Sequence, residues 1–222
     1  MATADKTALF VTLEGIEGSG KSTQMRYLAR YFEERGHSCV ETKEPGGTAI
    51  GEKIRAIVLN PDHYGLDPMS ELLLYTADRA QHVSECIRPA LTAGKTVICD
   101  RFLDSTVVYQ GTARGIDADT ILEINRRVLS GVVPDVTFLL DLPPEIGLSR
   151  AWQEIHSGGR DRGQSRFEQE RVRFHEKVRD GYKRLAAAAP ERFRVIDASR
   201  DVEAVRADMA AELSRFFQAC DP

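Results

Sequence analysis

The sequence predicts an α/β fold in which helices cover both faces of a parallel sheet of five strands. Five short apolar runs are spaced along the chain, and stretches with a helical apolar period lie between them. Strands that alternate with helices form parallel sheets, and strands buried on both faces read as continuous apolar runs. The chain has 222 residues and no internal repeat, so one domain over residues 1–222 is predicted. The predicted strands are residues 8–13, 39–42, 96–99, 136–140 and 193–196.

The helices between these strands are predicted from apolar residues that recur at i, i+3, i+4 and i+7. Gly36 marks the end of the first helix, because glycine commonly follows a helix C-terminus. The second helix is predicted to end before Pro89. Residues 60–68 are a turn-rich connector, and residues 156–165 are a Gly-rich, basic segment that predicts a mobile loop. The predicted helices include residues 25–32, 69–87 and 172–185.

Composition and charge exclude several classes of protein. The formal net charge of −4 argues against a general binder of nucleic-acid backbones, which needs a positive surface. No apolar run reaches membrane-spanning length, and residues 1–6 lack the features of a secretory signal. The four cysteines form no CxxC pair, which disfavours both a metal site and a disulfide framework, and Cys99 is predicted to be buried. Together these features predict a cytoplasmic protein that binds neither nucleic acid nor membrane.

The most informative motif follows the first predicted strand and opens the first predicted helix. Glycines let the backbone N–H groups curl around phosphate oxygens, and the helix N-terminus adds the positive end of a dipole. Lys21 is predicted to reach the β- and γ-phosphates of a nucleoside triphosphate, and the Ser22 hydroxyl to ligate Mg²⁺. A chance match in a flexible turn is the alternative, and the flanking strand and helix argue against it. The motif reads Gly15-Ile16-Glu17-Gly18-Ser19-Gly20-Lys21-Ser22 and continues into Thr23.

A second carboxylate is expected beside the phosphates, at the end of another strand. Asp100 directly follows the apolar run 96–99 and is predicted to lie beside the metal, with a simple strand-end turn as the alternative. The chain has no NKxD motif, by which GTPases read their base. A DxxG match at residues 62–65 falls in the turn-rich connector, and we interpret it as a coincidence.

Three further groups of residues, taken with the phosphate loop, resemble the bacterial thymidylate kinases. They are Glu44-Pro45-Gly46-Gly47-Thr48 after the second strand, Tyr75 and Arg79 one helical turn apart, and the string 100–111 after the third strand. The order and spacing of the motifs match the family from residue 9 to about residue 205. The resemblance implies a three-layer P-loop NTPase fold with strand order 2-3-1-4-5. It also implies transfer of the γ-phosphoryl of ATP to dTMP, with Mg²⁺, in dTTP biosynthesis, by a homodimer.

The resemblance assigns roles in reading the thymine base to individual residues of this chain. Tyr75 would stack on thymine, and Arg79 would donate to a base carbonyl. Thr106, with Ser105 beside it, would reach the N3 edge. Taken alone, Tyr75 reads as an ordinary half-buried helix residue, and only the joint pattern reverses that interpretation. The predicted dTMP-binding residues are Glu17, Glu44, Pro45, Arg55, Tyr75, Arg79, Arg101, Ser105, Thr106, Tyr109 and Gln110.

The resemblance likewise assigns roles at the sugar and phosphate of dTMP. Tyr109 would pack under the sugar and disfavour a 2′-OH, while Glu17 would face the 3′-OH. Arg55 and Arg101 would hold the phosphate, which suits the fork of an arginine side chain. Arg55 taken alone reads as a solvated helix charge, and Glu44 as a residue that caps the following turn.

The resemblance places a lid at about residues 150–168, which supplies positive charge over the transferring phosphoryl group. One subgroup of the family carries an arginine in the phosphate loop, whereas this chain has Gly18 there and follows the subgroup with lid arginines. Arg150 resembles the residue that flanks adenine. Arg166 lies in a segment similar to the family's DRxEQE, with Ser165 in place of aspartate, and we expect it to act at the transition state. The lid arginines are Arg150, Arg160, Arg162 and Arg166, and Arg160 and Arg162 could instead merely solvate the loop.

These inferences define the predicted site and leave two alternative functions to be tested. A kinase for another nucleotide or nucleoside is the rival of the same class, and a P-loop switch is the rival of a different class. The predicted catalytic residues are Lys21, Arg166, Arg101 and Glu17, and the predicted metal ligands are Ser22 and Asp100. The predicted ATP-binding residues are Gly15, Ile16, Glu17, Gly18, Ser19, Gly20, Lys21, Ser22, Thr23 and Arg150.

Overall fold

The computed structural model describes residues 8–220, except for the side chains of Ala219 and Cys220. The prediction that residues 1–6 carry no signal, and the two ends of the predicted domain, lie outside the described residues. Five parallel strands form one sheet in the order β2-β3-β1-β4-β5, which confirms the predicted fold. The strands are β1 (Phe10–Glu14), β2 (Cys39–Lys43), β3 (Thr96–Asp100), β4 (Val136–Asp141) and β5 (Phe193–Asp197).

Each strand ends one residue later than the apolar pattern predicts, because a parallel ladder pairs the backbone whatever the side chain is. Leu13 of β1 pairs with Asp100 of β3, and Leu140 and Asp141 of β4 pair with residues of β5. A charged residue therefore closes each strand. The carboxylates of Glu14 and Asp100 lie at the carboxyl edge of the sheet, where α/β folds bind their ligands.

Alternate residues of β1 show that helices cover both faces of the sheet. Val11 and Leu13 belong to the larger hydrophobic cluster, whereas Phe10 belongs to a second cluster together with Val97 and Cys99. Successive side chains of a strand point to opposite faces, so both faces are buried. Cys99 is buried, as predicted. The helices are α1 (Lys21–Glu33), α2 (Ala49–Val58), α3 (Pro68–His82), α4 (Arg88–Thr92), α5 (Leu103–Thr106), α6 (Ala118–Leu129), α7 (Pro144–His156), α8 (Val172–Ala188) and α9 (Val202–Cys220).

The helix predicted to end before Pro89 instead runs on through it. A π-helical segment, Val83–Ile87, joins α3 to α4, and Pro89 lies in the first turn of α4. Proline lacks an N–H and its ring clashes with the carbonyl four residues before it in a regular helix. A wider π turn just before the proline removes that conflict, so the prediction of a helix end was wrong. A second π-helical segment, Val107–Ala113, continues α5.

The lid and the C-terminal tail complete the fold. The lid, defined here as residues 157–171, connects α7 to α8 and contains a 3₁₀ turn, Arg162–Gln164, while residues 150–156 of the predicted lid belong to α7. In the tail, Phe216 and Phe217 pack on the main core, and the ring of Phe217 lies 6.3 Å from that of Phe32. Within residues 8–220, none of the helices has the length and apolar character needed to cross a membrane.

Candidate active site

One cavity of about 470 Å³ opens at the carboxyl edge of β1 and β3, between the phosphate loop, α3 and the lid. Its volume lies in the range of small-molecule sites. Most of the predicted site residues line it, and they come from distant parts of the chain. The predicted residues in its wall are Glu17, Gly18, Gly20, Lys21, Ser22, Thr23, Glu44, Pro45, Arg55, Tyr75, Arg79, Asp100, Arg101, Ser105, Thr106, Tyr109 and Gln110.

The phosphate loop is packed against α7 so closely that only glycine fits at its tip. A Cβ atom on Gly18 would lie 1.9 Å from the carbonyl oxygen of Gly147 in α7, and the φ angle of Gly18 is +67°. A Cβ on Gly147 would in turn lie 2.4 Å from the carbonyl oxygen of Glu17. The two glycines therefore fix the loop to the helix backbone. The same contact explains why this chain cannot carry an arginine at position 18.

Lys21 lies inside the curl of the phosphate loop. Its ammonium group donates to the carbonyl oxygens of Gly15 (3.2 Å) and Ile16 (2.9 Å), and to Ser19 Oγ (3.3 Å). Burial, followed by the positive charge of Arg101, lowers the pKa of Lys21 to about 8. The ammonium group is thus held inside the loop at the cavity wall, and an anionic ligand there would stabilise its charge.

Ser22 and Asp100 meet at the edge of the cavity, as the metal prediction requires. Ser22 Oγ donates to Asp100 Oδ2 at 3.3 Å, and both residues line the cavity. A hydroxyl and a carboxylate are the hard oxygen ligands that Mg²⁺ prefers. Mg²⁺ is usually held by one or two protein groups together with substrate phosphates, and this pair fits that mode of binding.

Glu17 is the centre of a charged network on the far side of the phosphate loop. Its Oε1 accepts from Arg101 Nη2 (3.0 Å) and from the Tyr109 hydroxyl (2.7 Å), while its Oε2 lies 3.0 Å from His175 Nδ1. Burial alone would raise the pKa of Glu17, but Arg101, His175 and Lys21 together hold it well below its ordinary value. Glu17 is therefore a fixed negative charge in the cavity wall.

Arg101 has a strained backbone that Glu14 holds in place. Its φ angle is +70°, which is rare for a residue with a side chain. The buried carboxylate of Glu14, at the end of β1, accepts from the Phe102 backbone N–H (2.8 Å), from Ser105 Oγ (2.6 Å) and from the Tyr182 hydroxyl (2.7 Å). These bonds fix the turn that follows Arg101, while the Arg101 backbone N–H donates to the Leu13 carbonyl of β1 (2.9 Å). Strain of this kind is common at functional sites, where the surrounding structure maintains it.

At the other end of the cavity, the guanidinium of Arg79 is fixed by four neighbours. It donates to Thr106 Oγ1 (2.7 Å), to the Phe102 carbonyl (3.3 Å) and to Asn125 Oδ1 (2.6 Å), and it pairs with Glu44. Only 1% of Arg79 is exposed, although it lines the cavity. Tyr75, one helical turn before Arg79 on α3, lines the cavity next to it. This end of the cavity thus combines an aromatic ring with a rigid donor.

Two lid arginines differ in position: Arg160 lines the cavity, whereas Arg166 binds groups outside the cavity wall. Arg160 lines the cavity and pairs with Glu168 at 2.5 Å. Arg166, the residue predicted to act at the transition state, is not part of the cavity wall. It donates to the Val58 carbonyl (3.0 Å) and pairs with the fully buried Glu71 (2.6 Å).

Arg150 also lies away from the cavity wall. Its guanidinium donates to the carbonyl oxygens of Ala198 (2.8 Å) and Ser199 (3.1 Å), in the turn after β5. Three further predicted ATP-binding residues also lie outside the cavity wall, because they face Lys21 from within the phosphate loop: Gly15, Ile16 and Ser19.

Several residues that sequence reasoning missed touch predicted site residues directly, and two of them lie on α6 and α8, outside every predicted motif. Asn125 of α6 accepts from Arg79, and His175 of α8 contacts Glu17. Asn125 lies one turn from Ile121 and one turn from Leu129 on the buried stripe of α6, and His175 lies on the buried stripe of α8. A polar residue within an apolar period was the available signal at both positions.

Comparisons with known proteins agree with this geometry. The family profile described as "Thymidylate kinase" matches residues 13–209. A thymidylate kinase of Desulfosudis oleivorans is 54% identical over 93% of this chain and 97% of its own length. A thymidylate kinase of Solidesulfovibrio magneticus is 53% identical over 89% of this chain and 94% of its own length. The crystal structure of the Ehrlichia chaffeensis thymidylate kinase superposes with a TM-score of 0.73 and 36% identity, covering 93% of this chain and 98% of that one. The chain therefore belongs to the thymidylate kinase family.

Proposed function

We propose that this chain transfers the γ-phosphoryl group of ATP to dTMP, giving dTDP and ADP for dTTP biosynthesis. The observation that carries the proposal is the single cavity that joins the phosphate loop to the pocket of Tyr75 and Arg79. A donor triphosphate at Lys21 and an acceptor nucleotide against Tyr75 would therefore share one enclosed space. The chain is accordingly an ATP-dependent nucleoside monophosphate kinase in this proposal.

Positioning and charge neutralisation account for the chemistry. The phosphate of a nucleoside monophosphate has a second pKa of about 6, so its attacking oxygen is already anionic at neutral pH and no general base is needed. Lys21, Arg55 and Arg101 line the cavity and would hold the phosphate groups in line. Ser22 and Asp100 would hold a Mg²⁺ ion, which when bound neutralises charge on the β- and γ-phosphate oxygens.

The acceptor end supports thymine as the base. The ring of Tyr75 offers a face for stacking, and Arg79 is too firmly held to turn away from a base carbonyl. A hydroxyl oxygen has two lone pairs, so Thr106 Oγ1 can accept from the N3–H of thymine as well as from Arg79. Tyr109 is fixed by its bond to Glu17, so its ring would lie as a rigid floor under the sugar. Glu44, Pro45, Ser105 and Gln110 complete this wall.

We assign the role of the transition-state arginine to Arg160 and not to Arg166. Arg160 lines the cavity, and its partner Glu168 is a buried carboxylate whose pKa is raised by burial and by Glu17. Glu168 can therefore take up a proton when Arg160 turns to a phosphate. Arg166 is committed to Glu71 and to the Val58 carbonyl, so we assign it the role of anchoring the lid.

An assay of ADP release with ATP and Mg²⁺ tests the proposal. It compares dTMP, dUMP, the ribose form of TMP, dCMP and no acceptor. Strong turnover with dTMP, weaker turnover with dUMP and little with the others is the expected result. Preference for dCMP or for a free nucleoside would overturn the acceptor assignment, and turnover that ignores the acceptor would overturn the kinase assignment.

We also propose a homodimer and a cytoplasmic location. Exposed apolar side chains of α2, α3 and α6 support the homodimer, because these helices pack side by side: Ile57, Met69, Leu73 and Leu122. Light scattering after size-exclusion chromatography should give twice the chain mass, and Leu73→Glu should give a monomer. Val195→Glu, an equally exposed position on β5, should leave the dimer intact. The free thiols of Cys39, Cys86 and Cys99 support a reducing compartment.

A further inference from the structure

His175 is a buried histidine that bridges the phosphate loop and the lid. It lies on the inner face of α8 and has an exposed fraction of 0%. Its Nδ1 is 3.0 Å from Oε2 of Glu17, and its Nε2 is 3.0 Å from the carbonyl oxygen of Phe167 in the lid. One ring thus contacts both of the segments that enclose the phosphate end of the cavity.

Both ring nitrogens face atoms that can only accept a hydrogen bond. The Phe167 oxygen is a backbone carbonyl, and Glu17 is held as a carboxylate by Arg101 and Lys21. Among the described residues, neither Glu17 Oε2 nor His175 Nδ1 has a hydrogen-bond partner, and the two buried atoms face each other as an ion pair at 3.0 Å. A neutral imidazole has only one N–H, and either tautomer would set a nitrogen lone pair against an oxygen lone pair inside the protein. Only the imidazolium satisfies both contacts.

We propose that His175 is a positioning residue that, with both ring nitrogens protonated, holds Glu17 of the phosphate loop and the Phe167 carbonyl of the lid at the same time. Glu17 is then fixed from two sides, by His175 at Oε2 and by Arg101 and Tyr109 at Oε1. Loss of the ring proton would release either Glu17 or the lid. The kinetic consequence rests on the proposed function, whereas the protonation state does not.

The charged groups around His175 favour the imidazolium. Burial by itself lowers the pKa of His175, but Glu17, the Phe167 carbonyl and the lid carboxylate Glu168 raise it above its ordinary value. Arg101 lies at the other carboxylate oxygen of Glu17, Oε1. Because the folded pKa is raised, the imidazolium is fully present below the ordinary pKa of about 6.5 and is lost as the pH rises through the raised value.

Nuclear magnetic resonance of the full chain labelled with ¹⁵N-histidine tests the protonation state without any measurement of activity. His175→Gln assigns the resonance, and the pattern of two-bond ¹H–¹⁵N couplings separates an imidazolium from either neutral tautomer. At pH 7.5 an ordinary histidine is about nine-tenths neutral. We expect His175 still to give the imidazolium pattern there, and to become neutral at lower pH in Glu17→Gln. A neutral His175 at pH 7.5 in the wild-type protein would overturn the proposal.

The pH profile of kcat with saturating ATP and dTMP tests the positioning role. We expect kcat to fall as pH rises through the pKa measured for His175. In His175→Gln we expect kcat about tenfold lower, the size of one lost hydrogen bond, and this alkaline limb to be absent. Any limb due to Lys21 is common to both proteins and cancels in their ratio. A purely structural histidine would instead give a lower melting temperature with the wild-type pH profile, which contradicts the proposal.

Two safeguards keep these outcomes separate. If His175→Gln does not fold, the resonance is assigned by elimination with substitutions of the other histidines, and the spectrum of the wild-type protein decides. If the wild-type protein turns over none of the acceptors, the proposed function fails, but the protonation state of His175 is still measured.

Discussion

The phosphate loop and the lid both bring positive charge to the same cavity, but they are built differently. The loop is made by consecutive residues, and the carbonyls that hold Lys21 belong to residues five and six positions before it. The lid arginines are placed by carboxylates, Glu168 for Arg160 and the distant Glu71 for Arg166. The difference shows that a local backbone motif fixes its side chain by itself, whereas a lid arginine goes where its partner carboxylate lies.

The largest effect is expected at the phosphate loop, which is built from consecutive residues. Lys21→Met should lower kcat/KM by about 10³-fold, because it removes the cation nearest the phosphates of the bound donor. The melting temperature should change little, since burial and the positive charge of Arg101 already disfavour the charged form of Lys21 in the folded protein. Steady-state kinetics and thermal unfolding measure the two effects. Lys177→Met, at an exposed position of α8, is the matched control, and an equal loss in both variants would contradict the assignment.

Two lid substitutions should separate catalysis from stability. Arg160→Met should lower kcat by about 10²-fold with little loss of stability, because Glu168 can take up a proton when it loses its partner. Arg166→Met should lower the free energy of unfolding by about 3 kcal/mol, the low end for a broken buried pair, since Arg114 still faces Glu71.

Kinetics and urea unfolding on both variants check this contrast. Arg162→Met, at an exposed lid position, is the control and should leave both quantities unchanged. If Arg166→Met instead loses turnover and keeps its stability, the role that the sequence predicted for Arg166 is restored.

Two glycines with similar backbone angles should show what the contact with α7 contributes. Gly36 has a φ angle of +86° with nothing near its Cβ position, so Gly36→Ala should cost about 1 kcal/mol of backbone strain and leave kinetics unchanged. Gly18→Ala adds a clash with the Gly147 carbonyl, which is backbone and cannot swing aside. We expect the KM for ATP to rise about tenfold as the loop is pushed from α7. Unchanged ATP kinetics would show that the contact with α7 is dispensable.

The sequence predicts those parts of the molecule whose structure depends on neighbouring residues in the chain. The strands follow from apolar runs, and the central strands β1, β3 and β4 leave the clearest signature because they are buried on both faces. The strand order follows from the family resemblance. The phosphate loop follows from glycine spacing, since the backbone conformation of the loop depends on its own residues.

The parts that sequence reasoning did not reach depend on contacts between distant segments. Arg160 and Arg166 are six positions apart, and nothing local says that Glu71 of α3 pairs with the second of them. The π turn before Pro89 shows the same limit, because the helix continues only if its packing on β3 offsets the cost of the proline. Asn125 and His175 lay within apolar periods, where a polar residue signals a buried partner but does not identify it.

The smallest effect is expected at Asn125, a distant residue that positions Arg79, the proposed hydrogen-bond donor to the base. Asn125→Ala removes the acceptor for Arg79 Nη1 but leaves the bonds of Nη2 to Thr106 and Phe102. Arg79 should therefore stay in the cavity with a less defined orientation, and the KM for dTMP should rise about threefold while kcat changes little. Glu123→Ala, on the exposed face of the same helix, is the matched control for helix stability. A loss of stability with no change in the KM for dTMP would make Asn125 a purely structural residue, and Glu44, Phe102 and Thr106 would then suffice to orient Arg79.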